Sequence, residues 1–204
     1  MTKIKICGLM SAQDAEYVSA AGADLAGVIL APGRRRTVSY ETLRSIRRSL
    51  SRSIPLTGVF VNAQIAEISA LAEKGLIQLV QLHGQEDAAY LLNLRRVCPL
   101  PVMQAFRIDT ADDLRRAEQS EADIVLLDSG SGGTGEHFDH ALLTAGFSRP
   151  YFLAGGLSPE TVGALIAAHQ PYGVDVSSGV ETNGQKNPEK IRSFVRAVIN
   201  HNSI

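Results

Sequence analysis

The sequence predicts an α/β protein that forms a single (β/α)8 barrel of the TIM type, and three observations support this. Apolar β-rich runs alternate with amphipathic stretches along the whole chain, eight of each. The residues that directly follow the predicted strands are spaced 21 to 30 residues apart, as eight consecutive βα units require. Polar and glycine residues gather at these positions, where barrels of this kind build their active sites.

An open, doubly wound sheet is the alternative, since periodicity alone does not show that a sheet closes. No Gly-x-Gly-x-x-Gly follows the first strand, which disfavours a dinucleotide-binding protein. The predicted strands are 3–7, 25–30, 56–61, 78–82, 101–106, 123–127, 150–154 and 173–176. The predicted helices are 11–21, 39–51, 64–74, 85–96, 110–119, 138–146, 158–169 and 188–201.

Capping signals support several of these helices. They are Ser11 with Asp14, Asp109 or Thr110 with Asp113, and Ser158 before Pro159 and Glu160. Gly22 and Gly75 are placed to end helices.

Composition limits the class of protein. The chain has 204 residues, 45% of them hydrophobic, and a formal net charge of -1, which suits one compact domain over residues 1–204. The near-neutral charge gives no reason to expect nucleic-acid or membrane binding. We find no signal peptide or membrane span and expect a cytoplasmic protein. The two cysteines, Cys7 and Cys98, form no zinc motif, and no metal-ligand cluster is visible.

Cys7 is the first candidate for chemistry. In the run Lys3–Cys7, Ile4 and Ile6 point to one face of the strand, while Lys3, Lys5 and Cys7 point to the other. Cys7 therefore lies at the carboxyl end of the first strand. A thiol there is a candidate base or nucleophile, and a nearby positive charge would favour its thiolate. We interpret Cys98, at a helix end, as structural.

Two small-residue loops indicate a phosphate site. Gly155 and Gly156 follow the seventh predicted strand, and Ser177, Ser178 and Gly179 follow the eighth. Small residues let backbone N–H groups approach an anion, and these two loops bind phosphate in many (β/α)8 barrels. Either motif alone is more often a plain turn, but their joint position favours phosphate binding.

Asp128 follows the sixth strand and precedes the glycine-rich stretch 129–135, which is long enough to form a lid. A partly desolvated carboxylate at such a position suits general-acid catalysis. A helix cap or a solvated loop residue is the alternative.

Two further loops carry candidate substrate contacts. Of Arg34, Arg35 and Arg36, one is expected to bind a carboxylate and the others to be solvated. His83, after the fourth strand, either touches substrate or fills the top layer of the barrel. A phosphate site, a thiol and a carboxylate at neighbouring strand ends predict an isomerase, epimerase or lyase that moves protons on a sugar phosphate.

A set of motifs occurs in a familiar order. They are Lys5-Ile6-Cys7-Gly8, Gly22-Ala23-Asp24, Gly58-Val59-Phe60-Val61-Asn62, Gln81-Leu82-His83-Gly84, Leu126-Leu127-Asp128, Gly132-Gly133-Thr134-Gly135, Phe138-Asp139, Ala154-Gly155-Gly156-Leu157 and Asp175-Val176-Ser177-Ser178-Gly179-Val180-Glu181. From residue 3 to about residue 198 the chain resembles phosphoribosylanthranilate isomerase of tryptophan biosynthesis. It departs from that family at Arg34-Arg35, at His140, where the family has Trp, and at Asn187, where it has Asp.

The resemblance implies a cofactor-free Amadori rearrangement of N-(5-phospho-β-D-ribosyl)anthranilate to 1-(2-carboxyphenylamino)-1-deoxy-D-ribulose 5-phosphate. It implies that Cys7 is the general base and Asp128 the general acid. Arg36 matches the arginine that faces the anthranilate carboxylate, and Asp175 matches the aspartate near the substrate's amino group. We expect a monomer or a homodimer that acts on this small sugar phosphate.

Three other functions fit these residues less well. A ribulose-phosphate epimerase needs histidine and acidic metal ligands, and no such set is visible. An indole-glycerol-phosphate synthase needs several lysines at inner strand ends, and only Lys5 is well placed. A non-catalytic phosphate-binding subunit needs neither Cys7 nor Asp128.

Overall fold

The computed structural model describes residues 1–128 and 147–201, and in it eight parallel strands close into a barrel in chain order. The strands are β1 (Lys3–Ile6), β2 (Leu25–Ile29), β3 (Leu56–Phe60), β4 (Leu79–Leu82), β5 (Val102–Arg107), β6 (Ile124–Asp128), β7 (Tyr151–Ala154) and β8 (Gly173–Val176). Closure rests on the pairing of β1 with β8. The predicted barrel is confirmed, and the open sheet is excluded.

Seven α-helices lie within the described residues. They are α1 (Ala12–Ala21), α2 (Tyr40–Ser49), α3 (Ile65–Glu73), α4 (Ala88–Val97), α5 (Ala111–Glu118), α6 (Val162–His169) and α7 (Pro188–His201). The helix predicted over 138–146 and the glycine-rich stretch 129–135 lie outside the described residues.

Local sequence signals explain several of the helix ends. Ser11 and Thr110 are N-caps of α1 and α5, and each forms a capping box with the aspartate three residues later. Gly22 ends α1 in the left-handed conformation, with φ of 78°.

The largest error among the predicted helix boundaries is at the start of α6. Helix α6 begins at Val162 rather than near Ser158, because Ser158 forms a turn before the helix. The Ser158 hydroxyl accepts a hydrogen bond from the Glu160 amide, and the Ser158 carbonyl accepts one from Thr161.

The strand register determines which side chains face the barrel interior. Lys5 pairs with Leu25 on one side and with Asp175 on the other. Paired residues of neighbouring strands point to the same face of the sheet, and side chains alternate between the two faces along each strand. The pairing therefore places Cys7, His83, Asp128 and Asp175 on inward-facing positions.

The barrel interior contains both apolar and polar side chains. An apolar cluster that includes Leu79, Met103, Leu126 and Phe152 fills it. Gly173 makes room for the Phe152 ring, since a Cβ there would lie 2.4 Å from the ring. Buried polar side chains also lie on the strands; they are Lys5, Thr57, Gln81 and Asp175.

A short antiparallel hairpin after β8 was not predicted. A 3-10 turn (Ser178–Val180) leads into β9 (Glu181–Thr182), which pairs with β10 (Gln185–Lys186). Asn183 and Gly184 form its turn, with φ of 52° and 78°. This Asn-Gly pair is the sequence signal that predicts such a hairpin. Within the described ranges, no helix combines the length and the apolar character needed to cross a membrane.

Candidate active site

Cys7 lies directly after β1, with its amide bonded to the Val176 carbonyl of β8 at 2.8 Å. Its side chain is buried and forms no disulfide bond within the described residues. Gly27 on β2 makes room for it, because a Cβ at that position would lie 2.8 Å from the Cys7 sulfur and 3.3 Å from Lys5 Nζ. The thiol and the Lys5 ammonium are therefore neighbours in the barrel mouth.

Lys5 also carries a buried ion pair with Asp175. Its Nζ donates to Asp175 Oδ2 at 3.0 Å, and the lysine side chain is fully buried. Burial opposes the charge of Lys5, but Asp175 and Cys7 outweigh that effect and raise the pKa of the lysine. Lys5 is thus a fixed positive charge beside the thiol.

Burial and charge act on Cys7 in opposite directions. Burial raises the pKa of the Cys7 thiol, while the ammonium groups of Lys5 and Lys186 lower it, and the net shift is upward. Burial likewise raises the pKa of Asp175, against the pull of Lys5. Asp175 Oδ1 is buried and has no hydrogen-bond partner within the described residues.

Asp128 and His83 form a second pair at the mouth. His83 Nε2 lies 3.4 Å from Asp128 Oδ2, and both side chains are partly exposed. His83 Nδ1 lies 3.1 Å from the side-chain Nε2 of Gln81, which is buried in the interior below it. In this amide orientation Gln81 donates to His83 Nδ1, and His83 Nε2 faces Asp128. His83 therefore borders the open mouth and is not a buried top-layer side chain.

The sequence predicts Cys7 and Asp128 at neighbouring strand ends. In the structure the two residues are not on adjacent strands. Strands β7 and β8 separate Asp128 on β6 from Cys7. Both positions face inward at the carboxyl ends of their strands, so they face one mouth across the barrel. Groups on the two sides of the mouth interact electrostatically, since the negative charge of Asp128 contributes to the raised pKa of Asp175.

The loops after β7 and β8 contact each other directly. A Cβ on Gly179 would lie 1.9 Å from the Leu157 carbonyl oxygen, so only glycine allows the two backbones to approach this closely. Gly155 and Gly156 have φ of 92° and 64°. Ser177 Oγ is buried and makes no hydrogen bond within the described part of the chain, and Ser178 opens the 3-10 turn. The two loops that carry the predicted phosphate-binding residues thus lie side by side.

Arg36 also belongs to the mouth. A Cβ on Gly8, the residue after Cys7, would lie 2.6 Å from Arg36 Cδ and 2.8 Å from Ser177 Oγ. The guanidinium is held by Glu181 through Nε at 2.7 Å and Nη2 at 3.0 Å. Arg35, which we expected to be solvated, also binds Glu181, at 2.7 Å. Arg34 is exposed, as expected.

Sequence reasoning missed the residues that hold this site together: Gln81, Glu181 and Lys186. Gln81 lies two residues before His83 and therefore points to the same inward face, so the alternation of the strand could have revealed it. Lys186 is fully buried, and its Nζ donates to Glu181 and to the Ser177 carbonyl, both at 2.9 Å. Cys98 is buried at the end of α4, away from the mouth. Residues 1–128 and 147–201 contain no group of three or more His, Cys, Asp or Glu side chains able to hold a metal.

The chain matches the family described as "PRAI: N-(5'phosphoribosyl)anthranilate (PRA) isomerase" over residues 4–197. The N-(5'-phosphoribosyl)anthranilate isomerase of Desulforudis audaxviator is 43% identical over 203 residues, which are 96% of this chain and 97% of that protein. Phosphoribosyl anthranilate isomerase from Thermotoga maritima, also described as a dimeric protein, has a similar structure. Its TM-score is 0.89 at 32% identity, with 98% of this chain and 100% of that chain covered.

A further solved phosphoribosyl anthranilate isomerase contains reduced 1-(o-carboxyphenylamino)-1-deoxyribulose 5-phosphate. It is 32% identical to this chain, with a TM-score of 0.87, and the match covers 98% of this chain and 100% of that one. The match in sequence and structure over nearly the whole chain, together with the barrel and its mouth, leads to one conclusion. The chain belongs to the N-(5'-phosphoribosyl)anthranilate isomerase family.

Proposed function

We propose that this chain converts N-(5-phospho-β-D-ribosyl)anthranilate to 1-(2-carboxyphenylamino)-1-deoxy-D-ribulose 5-phosphate in tryptophan biosynthesis, with Cys7 as general base and Asp128 as general acid. The observation that carries these roles is the strand register. It directs a thiol beside a buried ammonium and a carboxylate beside an imidazole into one barrel mouth. Membership of the isomerase family supplies the reaction.

In the first step, Asp128 gives its proton to the furanose ring oxygen. The bond between C1′ and that oxygen breaks, and the lone pair of the anthranilate nitrogen forms a Schiff base at C1′. Asp128 lies at the end of β6 with its side chain partly exposed, so it can reach a bound substrate. His83 borders the carboxylate, and its Nε2 proton stabilises the negative charge that remains after proton transfer.

In the second step, the Cys7 thiolate removes the proton from C2′. The electrons of that C–H bond form the C1′=C2′ double bond, and the electrons of the C=N bond return to nitrogen. The resulting enolamine becomes the ketone as its C2′ hydroxyl loses a proton and C1′ gains one. The hydroxyl proton returns Asp128 to its acid form, and the proton held by Cys7 is given to C1′. Lys5 stabilises the thiolate that starts this step, because its ammonium lies beside the sulfur in a buried environment.

The substrate is held at its two anionic ends. Backbone groups of Gly155, Gly156, Ser177, Ser178 and Gly179 bind the phosphate, supported by the close contact of the two loops. Arg36 binds the ring carboxylate, since the guanidinium has donors beyond those that Glu181 uses. Asp175 lies near the substrate's amino group, and its unpaired Oδ1 is the acceptor available to it.

The remaining expectations stay predictions. Residues 1–204 form one domain that works without a cofactor in the cytoplasm, as a monomer or a homodimer. The dimeric Thermotoga maritima relative favours testing the homodimer first, by sedimentation of the purified chain.

An assay of the purified protein on freshly prepared phosphoribosylanthranilate tests the activity, because the substrate's fluorescence falls as it is converted. We expect conversion without an added cofactor, and rescue of a tryptophan auxotroph that lacks this one step. A purified, folded protein that neither consumes the substrate nor rescues growth would contradict the proposal.

A further inference from the structure

Glu181 is the centre of a cluster of charges that no catalytic role requires. Its carboxylate accepts hydrogen bonds from Arg36, from Arg35 and from Lys186, at 2.7 to 3.0 Å. The side chain of Glu181 is only 5% exposed. A single surface ion pair contributes little, whereas one buried carboxylate shared by three cations is a specific arrangement.

This cluster joins two loops that are distant in sequence. Arg35 and Arg36 follow β2, and Glu181 and Lys186 are on the β9–β10 hairpin after β8. Arg35 also donates to the Gly184 carbonyl at the tip of the hairpin, at 2.9 Å. Lys186 donates to the carbonyl of Ser177, in the phosphate-binding loop. The carboxylate therefore connects the Arg36 loop to the backbone of the phosphate site.

The contacts fix the orientation of the Arg36 guanidinium. A guanidinium has five N–H donors, of which Glu181 takes the one on Nε and one on Nη2. The edge formed by Nη1 and the second Nη2 proton makes no hydrogen bond within the described residues. The stem of Arg36 passes Gly8, the residue after Cys7, so the guanidinium is anchored at the end of β1.

The charge of Glu181 persists over the working pH range. Burial alone would raise the pKa of Glu181, but the hydrogen bonds from Arg36, Lys186 and Arg35 lower it to about 2. An ionised Glu181 surrounded by three basic side chains leaves the cluster with more positive than negative charge. Such a cluster both orients Arg36 and attracts a carboxylate.

We propose that Glu181 is a positioning residue for substrate selection, which holds Arg36 so that its outer edge faces the ring carboxylate of the substrate. Lys186 fixes Glu181 in turn. This inference rests on the proposed function, because the ring carboxylate is a feature of that substrate. The competing explanation is that Glu181 only anchors the β9–β10 hairpin to the Arg36 loop.

The Glu181→Gln variant tests the inference, because it keeps the shape of the side chain and removes its charge. KM and kcat are measured with phosphoribosylanthranilate and with the analogue made from aniline, which lacks the ring carboxylate. We expect KM for the carboxylated substrate to rise about tenfold, which is 1.4 kcal/mol of binding. We expect kcat to change less than about twofold, and KM for the aniline analogue to stay within about twofold.

Two controls complete the experiment. Glu189→Gln removes an exposed carboxylate that pairs with Arg192 on α7, and it should change neither KM. In an Arg36→Met background, Glu181→Gln should add no further loss, since the group that it orients is absent.

The outcomes separate the explanations. An equal rise in KM with both substrates, or an additive rise in the Arg36→Met background, would show that Glu181 only anchors the hairpin. Either result would overturn the inference. Turnover of the aniline analogue shows that the variant is folded, so a folding defect is not mistaken for a positioning effect. A wild-type protein that is inactive on both substrates would refute the proposed function, and this inference with it.

Discussion

The two sides of the barrel mouth differ in how they hold their reactive groups. On the β1–β8 side, the Cys7 thiol is buried beside Lys5 and Asp175, and Lys186 lies close enough to act on it. On the β4–β6 side, His83 and Asp128 are 38% and 27% exposed. The difference fits the two proposed proton transfers, because a base that removes a proton from carbon is stronger in a dry site. Protonation of a ring oxygen needs an acid that can exchange protons with solvent.

The largest expected effect is on the buried side. Cys7→Ser should lower kcat by about 10⁴-fold, the upper end of what a general base contributes, because a hydroxyl is a far weaker base near neutral pH. The measurement is steady-state turnover of phosphoribosylanthranilate. Cys98→Ser, which changes the other buried thiol, is the matched control and should retain full turnover. Substantial activity in Cys7→Ser would assign the base to another residue.

The exposed side is tested by Asp128→Asn, which keeps the shape of the side chain but cannot deliver a proton. We expect kcat to fall by about 10³-fold, with binding of the reduced product nearly unchanged, because the phosphate and carboxylate contacts remain. Any residual activity should lose the decline in kcat at high pH that loss of a protonated acid causes. A variant that stays active, or that keeps this decline unchanged, would contradict the assignment.

The sequence predicts the candidate reactive groups of both sides, but not the charges that surround Cys7. The strand ends are visible as apolar runs followed by Cys7, His83 or Asp128, because alternation and spacing are local properties of the chain. The ion pair between Lys5 and Asp175 joins residues 170 positions apart. Only closure of the barrel brings these residues together, so no local pattern shows it.

The Glu181 cluster illustrates the same limit. Its Asn-Gly turn is a local signal for a hairpin, but the partners of Glu181 in the Arg36 loop are 145 and 146 positions away. The start of α6 was misplaced for a local reason, because Ser158 forms a turn instead of a cap. What the sequence could not show was therefore mainly which distant charges meet.

We expect an effect of intermediate size when the positive charge of Lys5, beside the Cys7 thiol, is removed. Lys5 lowers the pKa of Cys7 against the effect of burial, so Lys5→Met should raise this pKa further. The thiolate would then form only at higher pH, and the acidic limb of the kcat/KM profile should move upward by about 1 to 3 pH units. Breaking a buried pair also destabilises the fold, but the midpoint of the limb does not depend on how much protein is folded.

The control for this variant is Lys3→Met, which removes an exposed lysine of the same strand that pairs with Asp24. Its pH profile should match that of the wild type. A Lys5→Met profile with an unchanged midpoint would show that Lys5 supports the fold without tuning the thiol.

The smallest effect is expected in the predicted phosphate-binding loops, which follow β7 and β8. Gly156→Val places a branched side chain at a position with φ of 64°, where it obstructs the approach of the phosphate, and KM should rise about tenfold, or 1.4 kcal/mol. Gly22→Val matches the backbone strain, with φ of 78° at the end of α1, and should lower stability without changing KM. A crystal soaked in sulfate should show an anion near Gly156 and Ser178 in the wild type. An anion bound elsewhere, or equal KM values for the two variants, would refute this phosphate site.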